Sequence, residues 1–275
     1  MSVNSSDGCV VVTRESHVGV VRINRPAALN AINGQVATAV EAALDDFEAD
    51  PGIRAIVLTG TGDRAFCAGT DLKALAEFGP KGPMFTARGG LCGVTRRPFA
   101  KPFLIAVNGL ALGGGTEMVL AADCVVADDR ATFALVEVKR GMIAGGGGAI
   151  RMAKRVPRAI ALEMVMSGEP ISAQRAYEVG LINRVTPDGG ALNGALELAG
   201  VIAEASPSAV QLSKRLLLES LDVDEERAWE LNMATAKENL RTADCKEGQR
   251  AFIEKRSPVW SGAEVSALDS NRNPS

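Results

Sequence analysis

The apolar positions change period along the chain, and that change divides it. Residues 9–14 and Val18 to Ile23 are β-branched runs on either side of a short polar turn, and they predict a hairpin. Arg25-Pro26 ends the second strand, because proline cannot continue a ladder. Val36, Val40, Leu44 and Phe47 then recur at helical spacing and predict an amphipathic helix over 34–49. Asp50-Pro51-Gly52 reads as a turn, 55–59 as a buried strand and 60–63 as a loop. The alternation repeats: strand 103–107, helix 113–121, strand 125–127 and a short strand at Thr132-Phe133. Strands alternating with helices predict an α/β fold.

Beyond Ala149 the pattern turns helical, with helices over 158–167, 173–178 and 192–204 and one last strand near 182–185. Ser206-Pro207 marks a helix start, serine capping and proline in the first turn. Helices over 224–240 and 246–256 follow. The chain is expected to divide into a core over 1–205, a helical oligomerisation region over 206–262 and a flexible tail over 263–275.

Composition narrows the function classes. The 275 residues can bury a large core without covalent staples. Hydrophobic residues at 47% and charged residues at 23% are ordinary for a globular protein. The net charge of −3 and the lack of a Lys/Arg run give no basic face, so no nucleic-acid partner is expected. Arg96-Arg97, the nearest thing to one, reads as a solvated turn. Five cysteines without CxxC spacing and one histidine cannot assemble a metal cluster from the usual soft ligands. The thiols suggest a reduced, cytoplasmic chain. His17 falls in a turn, so it is expected to be solvated and triad chemistry is not expected. Met1 to Gly8 has no signal-peptide character, and no apolar run approaches the ~20 residues of a membrane span.

Three segments can carry chemistry. In 107–117 a strand ends, Gly113, Gly114 and Gly115 follow, and a helix begins with Glu117 just inside it. Glycine lets backbone approach a ligand. The first helical turn offers unpaired N–H groups at the positive end of the dipole, a place for an oxyanion. A glycine turn that merely tightens helix–strand packing would read the same way. The segment is not GxGxxG, so a dinucleotide site is not indicated. A second loop, Arg64 to Lys73, can present another N–H; one donor from each loop would make a two-point oxyanion hole. An ordinary surface turn is its alternative. Third, Glu137 stands in the largely apolar run 133–138 ahead of Lys139 and Arg140. It is either a salt-bridged rim residue or a partly buried carboxyl with a raised pKa, able to divide acid and base roles with another.

Taken in order, four motifs resemble the crotonase (enoyl-CoA hydratase/isomerase) superfamily over nearly the whole chain. They are Asn24-Arg25-Pro26 with Leu29-Asn30-Ala31, Ala65 to Leu72, Asn108-Gly109 through Glu117, and Glu247-Gly248 with Ala251-Phe252 and Glu254-Lys255-Arg256. The resemblance implies a crotonase-like spiral of ββα units, a perpendicular pair of sheets and a helical C-terminal region that builds trimers or dimers of trimers. It implies an oxyanion hole from the N–H groups of Thr70 and Gly114. Ala28, Ala68, Asp71, Leu72 and Lys73 would line the coenzyme A and substrate channel, with Leu29 beside it. Phe252 and Lys255 would close over the nucleotide end, often from a neighbouring subunit. No metal and no cofactor beyond the substrate's own coenzyme A would be required.

One fold carries many reactions in this superfamily, so activity rests on the site. Glu117 and Glu137, twenty residues apart, match both hydratase glutamates. The implied reaction is reversible addition of water to a 2-enoyl-CoA, with Glu117 activating water and Glu137 supplying the proton. Isomerisation, dehydration of a carnitinyl-type hydroxyacyl-CoA, or acyl-CoA binding without catalysis are the alternatives. Three departures stand out. Thr70 replaces a common alanine. Ala144 followed by four glycines replaces an Ile-Pro-Gly pattern, and a more mobile loop is expected there. Residues 78–97, with Met84, Phe85, Leu91 and Val94, either pave the acyl pocket or form a helix over the core.

Overall fold

The computed structural model describes residues 8–79 and 82–261; the tail expected over 263–275 lies outside them. Strands β1 (Val10–Glu15) and β2 (Val18–Ile23) form the expected hairpin, with Val10 opposite Ile23. Helix α1 (Gly34–Ala49) is capped by Asn33, whose side chain accepts the Val36 N–H. It buries Val36, Val40, Leu44 and Phe47, the stripe that its period announced.

Three strand–strand–helix turns follow. The first is β3 (Ala55–Gly60), β4 (Ala65–Cys67) and α2 (Leu72–Phe78), trailed by a small hairpin, β5 (Phe85–Thr86) and β6 (Gly90–Leu91). The second is β7 (Phe103–Val107), β8 (Leu110–Leu112) and α3 (Gly114–Ala121). The third is β9 (Cys124–Asp128), β10 (Thr132–Ala134), a 3-10 turn over Val136–Arg140 and α4 (Gly148–Arg155). Each turn sends its first strand to one sheet and its second to another. Helix α5 (Arg158–Ser167), strand β11 (Ile171–Ser172), helix α6 (Ala173–Glu178) and strand β12 (Arg184–Thr186) complete two sheets, ordered β1-β2-β3-β7-β9-β12 and β11-β10-β8-β4. All pairs are parallel except β1–β2 and β10–β11. The spiral of ββα units is therefore present.

One face of the first sheet packs on the main core. The other is covered by α7 (Ala191–Glu204), whose Ala191, Ala195, Ala199 and Ala203 sit on Val18, Val20, Val57, Leu104 and Val126. Alanine at that spacing lets the helix lie close to the strands. Three more helices end the described chain: α8 (Pro207–Ser220), α9 (Glu225–Asn239) and α10 (Ala243–Glu254). Ser206 caps α8 as its sequence announced, accepting the Ala209 N–H at 3.2 Å. No helix among the described residues is long and apolar enough to cross a membrane.

Several boundaries differ from expectation. β4 and β8 have three residues each, too short to show a period. The last strand starts at Arg184 rather than 182, and α10 starts at Ala243 because Thr242, not a later residue, caps it. Helix α4 was not anticipated. Within the expected segment 78–97, residue 78 ends α2 and the described residues 82–97 form a hairpin and turns rather than a helix. Arg97 is no solvated residue: its side chain is 9% exposed and ion-paired with Asp45. His17 is exposed, its Nδ1 2.9 Å from the Gly52 carbonyl oxygen.

Candidate active site

The first loop is held by the N-terminal signature. Asn30 is buried, and its amide donates to the carbonyls of Thr61 and Ala65 at 3.0 and 2.8 Å. Ala68 N–H donates to Leu29 carbonyl at 3.0 Å, Ile32 N–H to Gly69 carbonyl at 2.8 Å, and Asp71 N–H to Ile32 carbonyl at 2.8 Å. Ile32 thus pairs with the residues on either side of Thr70, in a parallel bridge. That geometry turns the Thr70 N–H away from the bridge, and among the described residues it has no backbone partner. The Cys67 thiol accepts the Gly69 N–H at 3.3 Å and so shapes the same loop. Burial pushes that thiol up to about 12, so it stays protonated.

The second loop meets it. Gly113 caps α3 at φ 52°, ψ −119°, a conformation that a side chain would strain. Gly115 lies so close to the Cys67 carbonyl that a Cβ there would overlap its oxygen. Buried Thr116 ties the helix to both flanking strands, its hydroxyl 2.6 Å from Ala111 carbonyl and accepting Ala134 N–H at 3.2 Å. The Gly114 N–H opens α3 without a backbone partner among the described residues. A Cβ on Gly114 would lie 3.6 Å from Thr70 N and 2.6 Å from Leu91 Cδ2, so the two free N–H groups and Leu91 share one small space. Two convergent donors of this kind can stabilise an oxyanion.

Glu117 is 3% exposed, one turn into α3. Its Oε1 accepts the Gly148 N–H at 2.9 Å, which places the carboxyl at the positive end of α4. The end of the Gly145–Gly148 run is therefore anchored, while Gly145 stays exposed. A Cβ on Gly146 would sit 2.6 Å from Glu117 Oε2, so glycine is what lets the loop wrap the carboxyl. Burial pushes Glu117 up to about 7; the charge of Glu137 pushes the same way, while the N–H groups of Gly148 and Gly146 and the Arg151 charge oppose it. Glu137 enters from the 3-10 turn, with Oε1 3.0 Å from where a Gly113 Cβ would stand. Its Oε2 is buried with no partner among the described residues. Burial raises this carboxyl too, against the pull of its own backbone N–H and of Arg140. Lys139 pairs with Glu169, so the simple salt-bridge reading of Glu137 does not hold for that lysine. Two carboxyls that burial raises, beside two free N–H groups, can move one proton on and another off a polarised substrate.

The remaining expected residues divide. Ala28 and Ala68 are half-buried and meet through the Leu29–Ala68 hydrogen bond. Asp71 already has partners: it caps α2 and binds Arg25 through both guanidinium nitrogens at 3.2 Å. Burial would raise that carboxyl, but the Arg25 hydrogen bond and charge leave it below its ordinary value. Leu72 and Lys73 are exposed in the first turn of α2. Phe252, 85% exposed, faces solvent on α10, which packs on α8, and Lys255 is exposed at its C-cap. Met84, Leu91 and Val94 are buried in the core, Phe85 is exposed, and Leu91 reaches the loop pair. Arg151 and the glycines that grip Glu117 escaped the sequence reading. Their only signal was the four-glycine run itself.

Comparison with known proteins shows the family. Residues 13–263 match a family model described as Enoyl-CoA hydratase/isomerase. The chain is 38% identical over 255 residues to an enoyl-CoA hydratase of Mycobacterium tuberculosis, covering 90% of this chain and 94% of that protein. It is 38% identical over 257 residues to a carnitinyl-CoA dehydratase of Proteus mirabilis, covering 92% and 97%. Among solved structures, an enoyl-CoA hydratase from Mycobacterium tuberculosis matches with a TM-score of 0.89 at 40% identity, covering 94% of this chain and all of that one. A carnitinyl-CoA hydratase from Mycobacterium avium matches with a TM-score of 0.74 at 43% identity, covering 93% and 99%.

Proposed function

The chain belongs to the enoyl-CoA hydratase/isomerase family, and on that premise we propose that it adds water reversibly to a 2-enoyl-CoA thioester. One observation supports the reading: Glu117 and Glu137 are both raised above their ordinary range, Glu117 lies one turn after Gly114 in α3, and Glu137 Oε1 is 3.0 Å from where a Cβ on the neighbouring Gly113 would stand. The thioester carbonyl sits between the N–H groups of Thr70 and Gly114. They stabilise the enolate-like charge that builds as water attacks the β-carbon. Glu117 takes the proton of that water as the C–O bond forms, and Glu137 supplies the proton to the α-carbon. The pair titrates as one unit, so the apparent values belong to both carboxyls.

Ala28, Ala68, Asp71, Leu72 and Lys73 line the coenzyme A channel. Asp71 acts there through its cap and its Arg25 pair, which set the start of α2. Phe252 and Lys255 close the nucleotide end of a neighbouring subunit in a trimer or a dimer of trimers. Five unpaired cysteines fit a reducing compartment such as the cytoplasm. The substrate's thioester supplies the activation, so the proposed reaction calls on no further cofactor.

Dehydration of a carnitinyl-type hydroxyacyl-CoA is the second reading, favoured by the 38% identity to a carnitinyl-CoA dehydratase. The test follows the ultraviolet absorbance of the conjugated thioester with crotonyl-CoA and a longer 2-enoyl-CoA, with product analysis. Loss of absorbance with formation of a 3-hydroxyacyl-CoA is expected. No turnover of either, with crotonobetainyl-CoA formed from carnitinyl-CoA, would replace the first reading by the second.

A further inference from the structure

Arg151 packs on the glycine loop that grips Glu117. It stands in the first turn of α4, its side chain reaching back over the glycine loop that precedes the helix. Its Nη1 donates to Gly146 carbonyl at 3.3 Å, and its Nη2 donates to Thr95 carbonyl. A side chain on Gly147, at φ 105°, would collide with the guanidinium, so the fork packs against the loop. The Gly148 N–H, two residues past the gripped Gly146 carbonyl, binds Glu117. Thr95, in turn, accepts the Leu91 N–H on its hydroxyl at 3.0 Å, and Leu91 lies against Gly114. One guanidinium therefore joins the 85–95 hairpin to the glycine loop around the carboxyl.

We infer that Arg151 is a positioning residue for the reaction, strapping Gly146 to Gly148 onto Glu117 and holding a positive charge beside that carboxyl. The inference rests on the proposed role of Glu117. A planar fork can bind two carbonyls in fixed directions, which lysine cannot reproduce. Without the strap a loop of four glycines has no side chain to hold its place. The charged groups facing Glu117 are few. Glu137 approaches from the 3-10 turn, with Arg140 acting on it, and Arg151 approaches from α4. The other α4 cations are directed elsewhere, Lys154 to Asp222 and Arg155 to the Ala122 carbonyl. Strand β4 contributes only the protonated Cys67 thiol, and β8 contributes no charge. Arg151 is thus the one cation of these elements acting on Glu117.

The test uses the full-length protein with carbon-13 in the glutamate carboxyls, the Glu117 signal assigned by its loss in Glu117→Gln. In Arg151→Met the Glu117 titration midpoint moves up by about half a unit or more, because the opposing charge is gone. In Arg151→Lys the midpoint stays near the wild-type value, but kcat for hydration falls roughly 10- to 100-fold with KM within about threefold, because the fork is lost. A merely structural arginine would move neither the midpoint nor kcat apart from KM. An unmoved midpoint in Arg151→Met overturns the inference, whether or not hydration occurs. Wild-type kcat in Arg151→Lys also overturns it, and decides alone if Arg151→Met does not unfold cooperatively. A moved midpoint in a protein that turns over no enoyl-CoA leaves the strap standing and removes the hydratase reading instead.

Discussion

The wall around Glu117 and the three C-terminal helices are built on opposite terms. At the wall every close contact is completed within one chain. Glycines admit backbone where a Cβ would collide, Thr116 pins α3 to β8 and β10, and Glu117 is 3% exposed. On α8 to α10 the apolar residues stand open: Leu217 59%, Trp229 59%, Met233 65% and Phe252 85% exposed. Trp229, Met233 and Leu240 recur at turn spacing and make one stripe on α9. A cavity of about 1050 Å³ also opens between α4 and α8, lined by Ile150, Val210 and Leu217. Exposed apolar area on that scale marks an association surface. The difference teaches that the glutamate wall is complete within one chain, whereas the apolar residues of α8 to α10 stand open, as the proposed trimer requires.

The largest effect that would sharpen this contrast is at the wall. Gly146→Ala puts a Cβ 2.6 Å from Glu117 Oε2 and pushes the carboxyl off its Gly148 donor. Hydration is expected to fall about 100-fold or more while the protein still unfolds cooperatively, checked by steady-state kinetics beside thermal melting. Wild-type kcat would mean that the loop does not set the carboxyl. On the helical side, Met233→Glu should leave the glutamate wall untouched but lower the mass seen by light scattering from trimer or hexamer toward monomer. An unchanged mass would take α9 out of the interface.

The smallest effect is thermodynamic. Glu117 titrates near 7 in the folded chain against 4.5 as the ordinary value, so between those pH values the folded state binds more protons than the unfolded one. Stability carried by protonated Glu117 is full below pH ~4.5 and lost as pH rises through about 7. Glu117→Gln should therefore gain stability over wild type as pH rises through that window, by up to about 2–3 kcal/mol. Urea melts at pH 5 and pH 8 measure it; equal differences at both would deny the burial cost.

How much of this could be read from the chain depends on scale. The α1 stripe, the β1–β2 hairpin and the strand–glycine–helix run ending at Glu117 announce themselves, because each imposes a period or a backbone demand over many residues. β4 and β8 are three residues long, and α4 offers only Ile150 and Met152 among its charges, so neither shows a pattern. Glu137 was legible through resemblance to a family more than from its own surroundings, since a lone glutamate in an apolar run has many meanings. The glycines 145–148 were read as slack. Gly146 and Gly148 are held by Arg151 and Glu117, partners that local sequence cannot show.

The central claim is that Glu117 and Glu137 act as one unit on one water. The most direct measurement is kcat for crotonyl-CoA hydration in wild type, Glu117→Gln, Glu137→Gln and the double variant, with acetyl-CoA binding measured by calorimetry in each. The account predicts that each single variant loses about three orders of magnitude or more, that the double variant is little worse than either, and that binding is kept. Near-wild-type turnover in either single variant, or losses that simply multiply in the double, would contradict it.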